Sequence, residues 1–218
     1  MAGSSVENNN GYPVDSGLGC LGKAKPTAGK LAFGELHECL LDSKPEPTPL
    51  GTQLQFDDWI PFPLPRVFAF FSNPENLPRI MPAAMGTRLD ELHLVSPPAS
   101  PDSVGSPRAA GIGTLIVTSF RPFRFLPMRV QWVARITEFE WNHHFADLQQ
   151  RGFFRQWHHR HEFFPEARNG VNGTLVRDLI HYEIGFGPVG RLANTLFVAR
   201  RMCHAFEQRQ QILPQLLS

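Results

Sequence analysis

Three histidines within four residues form the densest group of chemically capable side chains in the sequence, in the run Gln156–Phe164. Alternate residues of a β-strand point to opposite faces of the sheet. One face of this run is apolar apart from two imidazoles and holds Trp157, His159, His161 and Phe163. We expect this face to point inward, because a half-buried strand turns its apolar face to the core.

A carboxylate stands alone on the corresponding face of the next predicted strand. Val176, Asp178, Ile180 and Tyr182 share that face, and Asp178 is its one charged residue. Burial of a carboxylate is costly unless the group is paired. His159 or His161 is the natural partner of Asp178 across adjacent strands, and the sequence leaves open which of the two it is.

The preceding strand adds further polar groups, because Phe145, Asp147 and Gln149 share one of its faces. A three-residue hairpin loop at Gln150–Gly152, with Gly152 at positive φ, predicts that Phe145 lies beside Trp157 on the inner side. The inner wall would then carry Asp147, Gln149, His159, His161 and Asp178 among aromatic residues.

This set of residues has three interpretations. The first is a structural His–Asp pair that fixes strand register. The second is the polar end of a ligand pocket that binds a carbonyl, hydroxyl or carboxylate. The third is a catalytic pair in which His159 or His161 acts as general base and Asp178 orients it.

A metal site has weaker support. His158 faces away from His159 and His161, and two imidazoles without a clear third ligand make a poor zinc site. The sequence therefore predicts neither a metal nor another cofactor.

The elements that would position these residues follow one another in a simple order. Thr52–Ile60 alternates as a strand with Leu54, Phe56 and Asp58 on one face. Two short helices follow, the second at Glu75–Ile80. The remaining predicted strands are Thr87–Val95, Gly113–Phe120, Met128–Phe139, His143–Gln149, Phe153–Phe164 and Thr174–Ile184. Short connections, such as those at Asn142 and Asn169, predict an antiparallel meander of about six to seven strands.

The chain ends in a run from Pro188 to Leu217 that predicts one long amphipathic helix. Its apolar stripe comprises Leu192, Leu196, Cys203, Phe206, Gln210, Leu213 and Leu217. Four arginines are predicted on its outer, solvated face: Arg191, Arg200, Arg201 and Arg209. A bent sheet that grips one helix leaves a cavity between the two, which predicts an α+β ligand-binding fold.

Composition sets the domain limits and the compartment. Residues 1–48 are rich in Gly, Ser, Asn and Pro and predict a disordered tail, which leaves 49–218 as the folded domain. The net charge of +1 gives no electrostatic reason to expect a nucleic-acid partner. The 3 widely spaced cysteines fit the cytoplasm, and no secretory signal or membrane-spanning segment is expected.

Several strings resemble the START-like (SRPBCC) superfamily, which includes the birch-pollen allergen, polyketide cyclases and coenzyme Q-binding proteins. The strings are FSNPENL from Phe71, FFRQWHHRHEF from Phe153, GTLVRD from Gly173, Tyr182, and FGPVGRLA from Phe186. The resemblance is strongest to small bacterial members of undefined ligand and covers residues 51–217. It implies a helix-grip fold, with a curved antiparallel sheet around a long C-terminal helix.

On this basis we expect the protein to bind a hydrophobic small molecule, such as a lipid, quinone or polyketide. The expected cavity residues are Trp132, Phe145, Asp147, Gln149, Trp157, His159, His161, Phe163, Asp178, Ile180, Tyr182, Leu192, Leu196, Cys203 and Phe206. One alternative is a cyclase or dehydratase that uses the His–Asp pair, although the binding function is favoured over an enzyme. Another is an interaction module whose tail recruits a protein partner.

Overall fold

A computed structural model describes residues 51–99, 108–122, 128–185, 187, 190, 192 and 194–218. The predicted disordered tail at 1–48 lies outside these residues, as does much of the Pro/Ser/Gly-rich loop between the second and third strands.

Seven antiparallel strands form one sheet in the order β1-β7-β6-β5-β4-β3-β2. The strands are β1 (Thr52–Ile60), β2 (Arg88–His93), β3 (Leu115–Phe120), β4 (Val130–Glu140), β5 (His144–Arg151), β6 (Gln156–Arg168) and β7 (Val171–Glu183). From β2 to β7 each strand pairs with the next one in the chain, so the predicted meander is confirmed. Strand β1 closes the other edge by pairing with β7.

Two of the predicted turns are tight, and their residues explain why. Asn169 and Gly170 connect β6 to β7 with φ values of 50° and 77°, which is the two-residue geometry that a right-twisted hairpin favours. Asn142 has a φ of 58° between β4 and β5. Asparagine and glycine tolerate this left-handed region, so both links stay short and hold successive strands in register.

Two short helices connect β1 to β2, which lie at opposite edges of the sheet. Helix α1 (Leu64–Phe71) has a proline in its first turn, and helix α2 (Leu77–Ile80) follows a 3₁₀ turn at Pro74–Asn76. Another 3₁₀ turn, Ala83–Met85, precedes β2. The apolar stripe of α1 is fully buried at Val67 and Phe68, so this helix covers one end of the inner sheet face.

That end of the inner face is a dry aromatic and aliphatic core, which we call the apolar end. Its central residue is Phe68, whose ring lies 5.0 Å from that of Phe163 and 6.0 Å from that of Phe145. Ile136 and Val176 complete the layer. Their burial fastens α1 to strands β4 to β7.

A π-helical segment at Asn194–Val198 directly precedes helix α3 (Ala199–Leu216). A π-helical turn contains more residues than an α-helical turn, so side chains before it do not continue the stripe of those after it. Leu192 and Leu196 are accordingly 60% and 52% exposed, and the prediction that they cover the cavity is wrong. Gln210 is also exposed, although its position was assigned to the apolar stripe.

Candidate functional site

The predicted inner faces are correct, and the sheet places their polar residues side by side. Asp147 on β5 pairs directly with His159 on β6, and His161 pairs directly with Asp178 on β7. On the neighbouring strand β1, Phe56 lies opposite Asp178. With two residues from β1 and α3, these four polar residues form what we call the polar cluster: Asp58, Asp147, His159, His161, Asp178 and Arg209.

The carboxylate of Asp178 lies at the centre of the polar cluster and is fully buried. Its Oδ1 accepts a hydrogen bond from Nε2 of His159 at 2.9 Å. Nδ1 of His161 lies 2.6 Å from the same oxygen, but it is buried without an aligned hydrogen-bond partner. Asp178 therefore contacts both histidines, which answers the question that the sequence left open.

Arg209 reverses one of the sequence predictions, because it lies inside the protein and not on the outer face of the helix. Its side chain is 6% exposed. Nη2 donates to Oδ2 of Asp58 at 2.8 Å and also donates to Oδ2 of Asp178. The signal was present in the sequence, since Arg209 lies three residues after Phe206 and four before Leu213, on the same helical face.

Burial and ion pairing shift the pKa values of the cluster residues in different directions. Burial alone would raise the pKa of Asp178, but attraction to Arg209 and then to His161 holds it well below its usual value. Burial raises the pKa of Asp58 despite its contact with Arg209, and raises the pKa of Asp147 against the attraction of His159. The desolvated environment lowers the pKa of His159, and the neighbouring His161 lowers it further. His159 therefore favours its neutral form.

The outer edge of the cluster is formed by Asp147. Oδ2 of Asp147 lies 3.8 Å from Nδ1 of His159, beyond hydrogen-bond distance, and its side chain is 16% exposed. A neutral His159 that donates from Nε2 to Asp178 presents the lone pair of Nδ1 to this carboxylate.

Aromatic side chains border this edge, and we call them the aromatic wall: Trp132, Phe153, Phe154, Trp157 and Tyr182. The rings of Trp132 and Trp157 are 5.1 Å apart, and the ring of Phe154 stacks 5.0 Å from that of Trp157. Phe153 is 50% exposed. Apolar surface is therefore accessible next to the buried charges.

Gln149 lies two residues after Asp147 on β5 and contacts the aromatic wall. Its Nε2 donates to the backbone oxygen of Phe154 at 2.7 Å, whereas its Oε1 is buried and has no hydrogen-bond partner. An unsatisfied buried acceptor is uncommon in a folded protein.

The hairpin that carries the wall differs from the prediction. Phe145 pairs with His161 and not with Trp157, because β5 and β6 are joined by a bend at 152–155 in which Gly152 does not have positive φ. The change in register along β6 is four residues, from Trp157 to His161. An even shift preserves the faces of both strands, so the inward residues remain those predicted.

The other predicted cavity residues are largely core residues. Phe145 and Phe163 belong to the apolar end, and Ile180 is fully buried beside Tyr182. Cys203 is buried, and the ring of Phe206 stacks on that of Phe56 with centroids 4.0 Å apart. Phe56 was not among the predicted site residues, although its strand face was predicted correctly.

A surface cleft of about 450 Å³ lies at the opposite end of β7, near the β6–β7 hairpin. It is lined by Pro63, Leu64, Pro65, Pro165, Glu166, Ala167, Asn172 and Gly173. None of the predicted site residues lines this cleft.

Solved structures of other proteins share the fold, and three of them illustrate the likeness. The chain is similar to TTHA0849 from Thermus thermophilus, with a TM-score of 0.53, 19% identity, and coverage of 76% of this chain and 96% of that one. It is similar to CV1439 from Chromobacterium violaceum, with a TM-score of 0.52, 11% identity, and coverage of 78% and 98%. A START superfamily protein from Mycobacterium smegmatis gives a TM-score of 0.52, 10% identity, and coverage of 76% and 99%.

The chain therefore has the START-like helix-grip fold, as its sequence predicted. No family model and no curated protein matches the sequence. In the part of the chain that the structure describes, no helix is long and apolar enough to cross a membrane.

Proposed function

We propose that the protein binds an apolar small molecule between the aromatic wall and helix α3, with the polar end of the molecule at Asp147 and Gln149. The observation that carries this proposal is that Gln149, which has an unsatisfied side-chain oxygen, is hydrogen-bonded to the backbone of Phe154 in the aromatic wall. Phe153 is half-exposed, and Oε1 of Gln149 is buried without a partner. Binding sites commonly combine mostly apolar walls with a few polar groups that orient the ligand.

The polar atoms of the site favour a ligand that donates hydrogen bonds. Gln149 Oε1 and the carboxylate of Asp147 are acceptors, and the guanidinium of Arg209 is already occupied by Asp58 and Asp178. A hydroxyl or amine at one end of the ligand would meet these acceptors. A ligand with a free carboxylate would meet the negative charge of Asp147 without an available cation among the cluster residues.

Apolar burial provides the free energy for such a complex. A ligand that buries about 300 Å² of apolar surface gains roughly 7 kcal/mol before the costs of association are subtracted. Micromolar affinity corresponds to about 8 kcal/mol after an association cost of at least about 4 kcal/mol, so it requires a ligand that buries about 500 Å² of apolar surface, or somewhat less with hydrogen bonds at the polar end.

A ligand panel tests the proposal. Purified full-length protein is mixed with a hydroquinone, a long-chain alcohol, a fatty acid and an aromatic polyketide, and binding is followed by tryptophan fluorescence and thermal shift. We expect saturable binding of the alcohol or hydroquinone that Trp132→Leu weakens by about tenfold. Trp59→Leu, on the outer sheet face, is the matched control and should leave affinity unchanged. Absence of saturable binding across the panel, or equal losses in both variants, would contradict the proposal.

The second candidate function is acid–base catalysis of the cyclase or dehydratase kind. It is favoured by one observation: His159 is hydrogen-bonded to Asp178 at 2.9 Å, and its lowered pKa keeps the ring neutral and able to accept a proton at Nδ1. In this case His159→Gln would abolish a turnover that Trp132→Leu only slows. If any turnover survives His159→Gln unchanged, His159 is not the base.

A further inference from the structure

Two histidines and a carboxylate meet at the accessible edge of the polar cluster. One ligand atom from each of Asp147, His159 and His161 lies within 4.8 Å of the other two. The three residues come from adjacent strands in a direct pair and a diagonal, Asp147 opposite His159 and His161 two residues further along β6. A rigid sheet thus holds the three side chains, and no loop has to close to bring them together.

The groups around these three residues are those that metal-binding histidines usually require. Ligating imidazoles commonly give their other ring nitrogen to a carboxylate, which fixes the orientation of the ring. Asp178 is the carboxylate that both rings face, and its Oδ1 lies 2.9 Å from His159 Nε2 and 2.6 Å from His161 Nδ1. Arg209, which also contacts Asp58, in turn holds Asp178 from the helix side.

The contacts within the group are incomplete without a cation. Oδ2 of Asp147 and Nδ1 of His159 are 3.8 Å apart with no hydrogen bond between them. The imidazole of His161 is nine-tenths buried, and because its Nδ1 faces Asp178, its Nε2 is the nitrogen left for an ion. Among the cluster residues, three carboxylates face one guanidinium. A divalent cation would be bound jointly by the Asp147 carboxylate and the two imidazoles.

We propose that Asp147, His159 and His161 bind a divalent first-row transition metal of the Zn²⁺, Fe²⁺ or Co²⁺ kind. Two imidazoles and one carboxylate provide both nitrogen and oxygen donors. Transition-metal ions bind such a mixed set well, whereas Mg²⁺ and Ca²⁺ favour oxygen ligands alone. Three protein ligands leave at least one coordination position open. The inference is independent of the proposed organic ligand, because the ion can be tested alone.

His159 and His161 could be selected from the sequence, but the third ligand could not, because the pairing of β5 with β6 cannot be read from the loop between them. Direct pairing of Asp147 with His159 supplies it. Another potential group lies in the described residues at Glu140, His143 and His144, on the exposed β4–β5 hairpin. Any test has to separate the two groups.

The experiment uses untagged full-length protein stripped with a chelator and titrated with Co²⁺ and Zn²⁺ by calorimetry and visible absorption. We expect one Co²⁺ per chain, with a d–d absorption spectrum typical of low coordination number. Addition of Zn²⁺ should displace the Co²⁺ and abolish this absorption. Asp147→Asn and His161→Gln should each weaken binding by more than about tenfold. His158→Gln, on the same strand but the opposite face, and His143→Gln, in the exposed group, should leave it unchanged.

Circular dichroism and thermal melting show whether each variant is folded. X-ray absorption of the Co²⁺-loaded wild-type protein gives an answer that needs no variant, with two imidazoles and one carboxylate oxygen as the expected ligands. Absence of stoichiometric binding overturns the proposal. Binding that is lost in His143→Gln but kept in Asp147→Asn overturns it as well, because the ion is then held by the exposed hairpin.

Discussion

His161 and Phe163 are successive inward residues of β6, yet they belong to two different environments. Phe163 packs at the apolar end against Phe68, with ring centroids 5.0 Å apart. His161 belongs to the polar cluster and contacts Asp178. Helix α1 packs on the apolar end through apolar side chains, whereas helix α3 contacts the polar cluster through the charge of Arg209.

This difference separates positions that fold the protein from positions that are available for function. The apolar end is satisfied by its own contacts, since Phe68 and Val67 are fully buried among apolar neighbours. The polar cluster and the adjoining Gln149 retain unsatisfied atoms, at His161 Nδ1 and Gln149 Oε1. Unsatisfied groups in a native core call for an explanation such as a bound ligand or ion.

The largest effect is expected where charge holds the helix. Arg209→Met leaves Asp58 and Asp178 buried without their cation, and loss of one partner of a buried ion pair costs about 3–5 kcal/mol. Urea unfolding should show this loss in the free energy of unfolding. Arg200→Met, on the exposed face of the same helix, is the control and should change it by less than about 0.5 kcal/mol.

The same variant can be rescued, which sharpens the comparison. With Asp58→Asn and Asp178→Asn added to Arg209→Met, no unpaired charge remains at these three positions, and much of the lost stability should return. If the triple variant is less stable than Arg209→Met alone, the helix is held by something other than charge pairing.

A smaller loss is expected at the apolar end. Ile136→Val removes one buried methylene, which costs about 0.5–1.5 kcal/mol in a packed core. Ile136 is 3% exposed and packs in the apolar cluster, although its partner on β5 is Asp147. Because the substitution changes no charge, the loss should be insensitive to salt. Denaturant unfolding at two ionic strengths measures it, and a strong salt dependence would contradict an apolar origin of the loss.

The outer sheet face provides a matched ion pair that should matter less. Asp57, the neighbour of Asp58, makes two 2.9 Å contacts with Arg177 on β7, where both side chains remain partly exposed. We expect Asp57→Asn to cost about 0.2–1 kcal/mol and the cost to shrink in high salt. A loss as large as that of Arg209→Met would remove the distinction between the two faces of β1.

The smallest effect concerns the pH dependence of Tyr182. Burial raises its pKa to about 12, and its hydroxyl donates a 2.7 Å hydrogen bond to Asn194. Because the folded pKa exceeds the unfolded value of 10.0, the neutral phenol stabilises the fold fully below pH 10 and this contribution is lost between pH 10 and about 12.

A Tyr12→Phe protein isolates Tyr182, because the sequence has 2 tyrosines. Tyrosinate absorbance after a rapid pH jump should rise with a midpoint near 12 in the folded protein. In denaturant the midpoint should be about 10. A midpoint near the denatured value of about 10 in the folded protein would instead show that Tyr182 is accessible to water.

Much of the fold could be predicted because it depends on local patterns. Strict alternation in β1 and β4 to β7 indicated the inner faces, and Asn142 and Asn169 indicated the turns. Two features could not be obtained in this way. The register of β5 against β6 depends on how residues 152–155 pack, and the π-helical segment at Asn194–Val198 changes the phase of the last helix.

Arg209 shows a different limit of sequence interpretation. Hydrophobic periodicity assigns an arginine to the solvent side by its type, although its spacing from Phe206 and Leu213 places it on the buried face. The inward carboxylates of Asp58 and Asp178 required a buried cation, and that requirement was the available signal. The charges that must pair in the folded protein are far apart in the sequence. No short stretch of sequence therefore shows which residue will pair with which.

The measurement that tests the account most directly is native mass spectrometry of the full-length protein isolated from its own host, followed by denaturing extraction. The account predicts a stoichiometric mass excess that disappears on denaturation and is recovered as an apolar molecule with a hydrogen-bond donor at one end. A bare polypeptide mass, in a protein that also takes up nothing from the ligand panel, would contradict the proposed binding function.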